Sequence, residues 1–180
     1  MLSIIIPAYN EEKAIEARIN QVNNLQIEKE IIVVNDCSKD RTAAILSSFA
    51  LNNLKVIHHI SNRGKLAAVH TGVENAVGEF VIIQDVHSEH GISDYLKLLE
   101  AVNQPGVDVV LGSHFTKTRF SNFFLNIIFG IKLNNWFSRC QLVRRESLLK
   151  ILPELKSANF AFDILTKAIR KKMCVMEVYI

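Results

Sequence analysis

The chain has 180 residues, of which 49% are hydrophobic and 22% charged, with 7 glycines and 3 prolines. Those proportions describe a folded globular protein and exclude a disordered, collagenous or low-complexity chain; the length suits one well-cored domain better than two. A formal net charge of +3 hides an asymmetry, since residues 1–112 hold 9 Lys/Arg against 14 Asp/Glu and residues 113–180 hold 12 against 4. The basic second part suits phosphates, anionic lipid or nucleic acid, and equally suits helix faces kept soluble by lysine.

The three cysteines, Cys37, Cys140 and Cys174, are far apart and form no C-x-x-C pair, so neither a disulfide framework nor a zinc site is expected, and a reducing cytoplasm fits best. The opening "MLSIIIPAYNEE" lacks a basic leader, which argues against a secretory signal. The most apolar stretch, "FFLNIIFGI" at 123–131, is too short to span a bilayer.

In chain order, apolar β-branched runs occur at 3–7, 30–35, 55–60, 79–84, 107–112 and 174–179. Their hydrophobicity is continuous rather than alternating, as in parallel strands covered on both faces. Helical spacing lies between them. Ile15, Ile19 and Val22 follow Asn10 as a possible cap, Ile45 and Phe49 follow Asp40, Leu66, Val69, Val73 and Ala76 form a third stripe, and Tyr95, Leu98, Leu99 and Val102 form a fourth opened by Ser93. Strand–helix alternation up to residue 112 predicts a doubly wound α/β domain with right-handed crossovers, in which ligands sit beyond the carboxyl ends of the strands. Further on, 118–131 reads as an apolar aromatic helix, 133–145 as irregular, 146–151 as a short helix and 160–171 as a helix with Ala161, Leu165 and Ala168 on one side.

Three strand ends carry polar groups: "PAYNEE" (7–12), "NDCSKDRT" (35–42) and "QDVHSEHG" (84–91). A parallel sheet would bring Tyr9, Glu11, Asp36 and Asp85 to one crevice, and a nucleotide suits such a set: an aromatic surface for the base, carboxylates for N–H and hydroxyl groups, cations for phosphate. "SNRGK" (61–65) precedes a helix, so Gly64, Lys65 and the helix start could receive an anion. Each piece alone is weak; "NDCSKD" by itself reads as a turn and helix cap.

Together the stretches "SIIIPAYNEE", "EIIVVNDCSKDRT", "SNRGKLAAVHTGVENAVGEFVIIQD", "SDYLKLLEAV" and "VDVVLGSHF" resemble the family 2 glycosyltransferases of the GT-A fold over nearly the whole chain, and within them the polyprenyl-phosphate sugar synthases such as dolichyl-phosphate mannose synthase. The resemblance implies a Rossmann-like, mostly parallel sheet with helices on both faces, forming a single domain over 1–180. In it, 1–112 is the nucleotide-binding part, and 113–180 is an acceptor-side part shortened at the C-terminus. It assigns Pro7, Ala8, Tyr9, Glu11 and Asp36 to the base and ribose of a sugar donor, with Lys65 and Asp85 toward the phosphates.

The family follows its fourth strand with Asp-x-Asp, whose second carboxylate holds a divalent cation; here the triplet is Asp85-Val86-His87, with Glu89 two residues on. In an extended segment Asp85, His87 and Glu89 share one side and could hold a cation. That ion is expected to be Mn2+ or Mg2+, and the imidazole moves the preference away from magnesium. The alternative is that His87 and His90 are exposed loop residues. Two further departures lie on the acceptor side. Asn134 and Asn135 stand where the family places an aspartate that serves as base or orients the acceptor, and His114 replaces an arginine that Arg119 or Arg139 could supply. Asn135 cannot accept a proton, but an anionic lipid phosphate has none to lose.

The expected function is therefore transfer of a sugar from a nucleotide diphosphate sugar to an acceptor such as a polyprenyl phosphate, by a cytoplasmic protein at the inner face of the membrane. The helix at 118–131 would lie in the interface or simply pack on the sheet. The alternative function is a binding protein on the same scaffold without catalysis. Nucleic acid is not expected as a partner, because the basic residues are scattered and no aromatic platform lies among them.

Overall fold

The computed structural model describes residues 1–87, 92–113, 119–156 and 159–180, with the side chains of 92–93 and 119–121 also outside the description. The chain divides into two compact units, Met1–Ile92 and Ser93–Ile180.

The first unit alternates strands and helices: β1 (Leu2–Ala8), α1 (Ile15–Asn23), β2 (Lys29–Asn35), α2 (Thr42–Ser47), β3 (Leu54–His58), α3 (Lys65–Asn75) and β4 (Phe80–Ile83). β1 pairs in parallel with β2 on one side and β4 on the other, and β2 pairs in parallel with β3. All seven residues of β1 and all four of β4 are buried, as continuous apolar runs predict for strands covered on both faces. The step from β3 across to β4 reverses the direction of winding. A right-handed crossover then puts α3 on the face opposite α1 and α2. α3 lies so close to β1 that a Cβ on Gly72 would overlap Ile5 Cγ2.

The β1–β4 register runs Leu2↔Phe80 to Ile5↔Ile83, and its last bond is Gln84 N to Ile5 O at 2.8 Å. The next rung would need an N–H from residue 7, which is Pro7. A proline has none to give, so the ladder stops and the chain leaves the strand at Asp85.

The second unit contains α4 (Ile92–Val102, begun in the first), β5 (Val109–Ser113), α5 (Arg119–Phe129), β6 (Gln141–Arg144), α6 (Arg145–Ile151), α7 (Phe160–Arg170) and β7 (Val175–Tyr179). β5 pairs in parallel with β7 and antiparallel with β6. Trp136, Leu98, Val109, Leu142, Leu148 and Leu165 are fully buried in its core. Trp136 donates Nε1–H to Asn126 Oδ1 at 2.7 Å, the partner a buried indole requires.

Two local expectations are corrected. Residues 133–145 do not stay irregular: 141–144 form β6, a strand of only four residues flanked by polar groups, too short for a periodic signal. Asn10 does not cap α1. It adopts φ +56° and its Oδ1 accepts from Lys39 N at 2.8 Å, while the helix begins five residues later at Ile15. Asp40 does act at a helix start, its Oδ1 accepting from Thr42 N at 3.0 Å.

Candidate active site

β1, β2 and β4 are adjacent and parallel, so the residues following them emerge along one edge of the first unit. The first two loops are stitched together. Asp36 N donates to Ala8 O (2.9 Å), Asn10 N to Ser38 Oγ (3.0 Å), Glu11 N to Thr42 Oγ1 (2.8 Å), Glu12 N to Asp40 Oδ2 (3.1 Å) and Arg41 N to Glu12 Oε2 (3.0 Å). Asn10 and Cys37 both take left-handed conformations, φ +56° and +59°. Short polar side chains make such turns tolerable for asparagine.

Asp36 is buried at the end of β2. Its Oδ1 accepts from His59 Nδ1 at 2.6 Å and from Arg63 N at 2.9 Å, and its Oδ2 accepts from Gly64 N at 2.7 Å. Burial by itself raises the pKa of this carboxyl, but the bonds from Arg63, His59 and Gly64 and the imidazole's charge outweigh it and hold the group below its ordinary 3.8. Asp40 is likewise held low, the Thr42 hydroxyl and backbone bonds overcoming its desolvation.

One salt bridge and one histidine–carboxylate contact close the edge. Lys65 Nζ, on the first residue of α3, stands 2.5 Å from Asp85 Oδ1. That oxygen is buried, and the Lys65 ammonium beside it balances its charge. His87 Nε2 stands 2.8 Å from Glu11 Oε2, with the imidazole 75% exposed and the carboxylate 19%. Arg18, buried on α1, donates Nε–H to Val86 O at 2.9 Å, holding the residue between Asp85 and His87. Glu11, Lys65, Asp85 and His87 are thus brought together from two strand ends, those of β1 and β4, and one helix start. Pro7 and Ala8 are buried in the last rungs of β1, and Tyr9 follows them 41% exposed.

In the second unit Asn135 donates its N–H to Glu177 Oε1 at 2.9 Å and accepts on Oδ1 from Phe137 N at 3.2 Å, the geometry of a side chain bracing its own turn. Arg139 is exposed. Glu89 and His114 lie outside the described residues, as does the Arg119 side chain.

A glycosyl transferase family 2 model matches residues 3–155, which include every strand-end segment described above. The chain belongs to glycosyl transferase family 2. It is 32% identical over 153 residues to the dolichol-phosphate mannosyltransferase of Pyrococcus furiosus, covering 82% of this chain and 39% of that protein. With the dolichyl-phosphate beta-glucosyltransferase of Saccharomyces cerevisiae it shares 28% identity over 217 residues, covering 98% of this chain and 65% of the relative. The chain thus spans between about two fifths and two thirds of the length of these relatives. A solved structure, the mannosyltransferase PcManGT from Pyrobaculum calidifontis in complex with GDP-Man and Mn2+, superposes with a TM-score of 0.78 at 18% identity, over 99% of this chain and 54% of that one. That likeness establishes the GT-A architecture expected of the family 2 chain.

Among the described residues no three His, Cys, Asp or Glu side chains stand close enough to share an ion. Asp85 and His87 offer one carboxylate and one imidazole, a pair that suits manganese-to-zinc ions better than magnesium. Each already has a partner, Lys65 for Asp85 and Glu11 for His87.

Sequence reasoning missed Arg18, His59 and Thr71. Arg18 had a readable signal, since it falls on the same helical face as Ile15, Ile19 and Val22, where a charged residue is rare. His59 sat inside an apparent strand run, "KVIHHI", and only the fold shows that β3 ends at His58.

Proposed function

We propose that this family 2 chain transfers a sugar from a nucleotide diphosphate sugar to a polyprenyl phosphate. The observation that carries the reading is the joining of Lys65–Asp85 and His87–Glu11 at a single strand edge, within the residues that the family model matches.

On this reading the nucleoside lies against Pro7, Ala8 and Tyr9, with Glu11 and Asp36 as acceptors for its N–H and O–H groups. Asp36 spends three of about four carboxylate lone-pair directions within the protein and keeps one on Oδ2. Lys65 leaves Asp85 for the diphosphate, an ammonium already placed where negative charge grows as the leaving group departs. An oxygen of the acceptor phosphate forms the bond to the anomeric carbon. The anomeric C–O bond to the diphosphate breaks, and its electron pair leaves with the nucleoside diphosphate. Because the acceptor oxygen is already anionic, the step asks no base of Asn135. A divalent cation on Asp85 and His87, with Glu89 as a third donor, would add positive charge beside the diphosphate. The Mn2+ in the PcManGT complex supports a cation, and the imidazole favours manganese over magnesium.

His114, Arg119, Arg139 and Asn135 are assigned to the acceptor. On α5, Phe123, Phe124, Ile127 and Ile128 are each more than half exposed. This stripe, together with the basic composition of 113–180, fits a helix lying on an anionic membrane surface. No helix among the described residues is long and apolar enough to cross a membrane. The relatives named above, a mannosyltransferase and a glucosyltransferase, support transfer over binding alone.

The test is incubation with UDP- and GDP-sugars and a polyprenyl phosphate, with and without Mn2+, following labelled sugar into the lipid phase. Transfer from one donor class supports the reading. Tight donor binding with neither transfer nor hydrolysis assigns the chain to the binding-only class.

A further inference from the structure

Asp36, His59 and Thr71 form a relay, and the proposed transfer gives no role to its histidine and threonine. His59 Nδ1 lies 2.6 Å from Asp36 Oδ1 and its Nε2 lies 3.0 Å from Thr71 Oγ1, and the imidazole and carboxylate are almost wholly buried. An ionised carboxylate can only accept, so Nδ1 carries a proton and donates it to Asp36. Thr71 belongs to α3, and the turn that Asp36 holds directly leads into it: Arg63 N and Gly64 N both donate to Asp36, with Gly64 at φ +86° just before Lys65.

The residues just after β2 and β3 therefore grip α3 at two places. One is the turn at its start, through Asp36. The other is Thr71, through His59, seven residues on, or about 10 Å along the axis at 1.5 Å per residue. A stiff rod held at two points can neither swing nor turn about its axis. What that grip fixes is the side chain at the first position of the rod, Lys65, whose ammonium stands 2.5 Å from Asp85. Buried hydrogen bonds are retained where they specify one arrangement, and this one links an inner histidine to an edge cation.

We infer that His59 is a positioning residue: with Asp36 and Thr71 it clamps α3 to the ends of β2 and β3 and so presents Lys65 to the diphosphate of the donor. The role in presentation rests on the functional reading above; the clamp does not. His59 itself touches neither donor nor acceptor. Its removal should therefore lower what the diphosphate adds to binding, beyond any change in nucleoside affinity transmitted through Asp36.

Two measurements decide it. Amide hydrogen exchange on the ligand-free protein tests the clamp: in His59→Ala the Arg63 and Gly64 amides should exchange roughly five- to tenfold faster, the effect of losing one buried bond. His59→Asn, whose amide nitrogen can still reach Asp36, should restore most of that protection, and Thr71→Val should loosen the middle of α3 alone. Unchanged exchange at Arg63 and Gly64 in His59→Ala overturns the inference. If His59→Ala does not fold, His59→Leu, which fills the space and also lacks the bond to Asp36, carries the same comparison.

Titration calorimetry with UDP, GDP and the matching nucleosides then reads how many-fold the diphosphate tightens binding. Lys65→Ala should lower that advantage by roughly ten- to a hundredfold, as for a lost charged hydrogen bond. His59→Ala should lower it as well, and the double variant should fall no further than Lys65→Ala alone. Independent, multiplying effects of the two substitutions contradict the presentation of Lys65 by the clamp. A wild-type protein that binds none of the nucleotides refutes the functional reading, and the exchange comparison then decides the clamp by itself.

Discussion

Replacing Asp36 by Asn keeps the shape of a buried side chain and removes its charge. In the structure the carboxylate accepts from His59 Nδ1, Arg63 N and Gly64 N. An amide presents one oxygen and one NH2, so at least one of the three donors must face another donor. Losing a bond to a charged acceptor and leaving a buried donor unpaired costs about 2–4 kcal/mol. That is a large share of the roughly 5–15 kcal/mol that holds a domain of ordinary stability. The sign of the pH dependence follows from the depressed pKa. A carboxyl held below its ordinary 3.8 contributes stability above that value, and the contribution is lost as pH falls through the lower folded-state value. Urea unfolding followed by circular dichroism should show Asp36→Asn about 2–4 kcal/mol less stable at pH 7, with the gap closing as pH drops below 3.8. Asp40, whose carboxyl is also held low, keeps an acid limb in both proteins and serves as the internal reference. Equal stability at pH 7, or a gap that does not change with pH, would refute the reasoning.

Three other variants probe separate features of the structure. Gly72→Ala should destabilise the fold by about 1–3 kcal/mol, because the new methyl overlaps Ile5 Cγ2 at the α3–β1 contact; a neutral result in thermal denaturation would mean that the helix shifts freely. His87→Asp gives the strand end two carboxylates, so the ratio of transfer with Mg2+ to transfer with Mn2+ should rise several-fold, and an unmoved ratio takes His87 away from the cation. Phe124→Ser with Ile128→Ser, both on the exposed stripe of α5, should weaken sedimentation with anionic vesicles while leaving calorimetric nucleotide affinity unchanged. Vesicle binding that survives the double substitution assigns the stripe another role.

Much of the first unit was legible because its physics is local. The apolar runs at 3–7, 30–35 and 79–84 became β1, β2 and β4, since strands covered on both faces need no alternation. The stripes at Ile15, Ile19 and Val22 and at Val69 and Val73 became the buried faces of α1 and α3. Pro7 carried a signal that became readable only with the register, because the missing N–H matters at the rung where β4 departs. The convergence of Glu11 and Asp85 followed from topology, and the contacts Lys65–Asp85 and His87–Glu11 did not. Pairing depends on side-chain reach across loops, which spacing along the chain does not encode. His59 was hidden for the same reason, since its partners are 23 residues before it and 12 after it. β6 was missed because four residues carry too little pattern to outweigh their polar flanks.

Titration of the wild-type protein with UDP, GDP and their nucleosides bears most directly on the central assignment. A nucleoside diphosphate should bind one to one, more tightly than its nucleoside, and Lys65→Ala should erase most of that difference. If nucleoside and diphosphate bind alike, or neither binds at all, the edge formed by Glu11, Lys65, Asp85 and His87 is not a sugar-donor site.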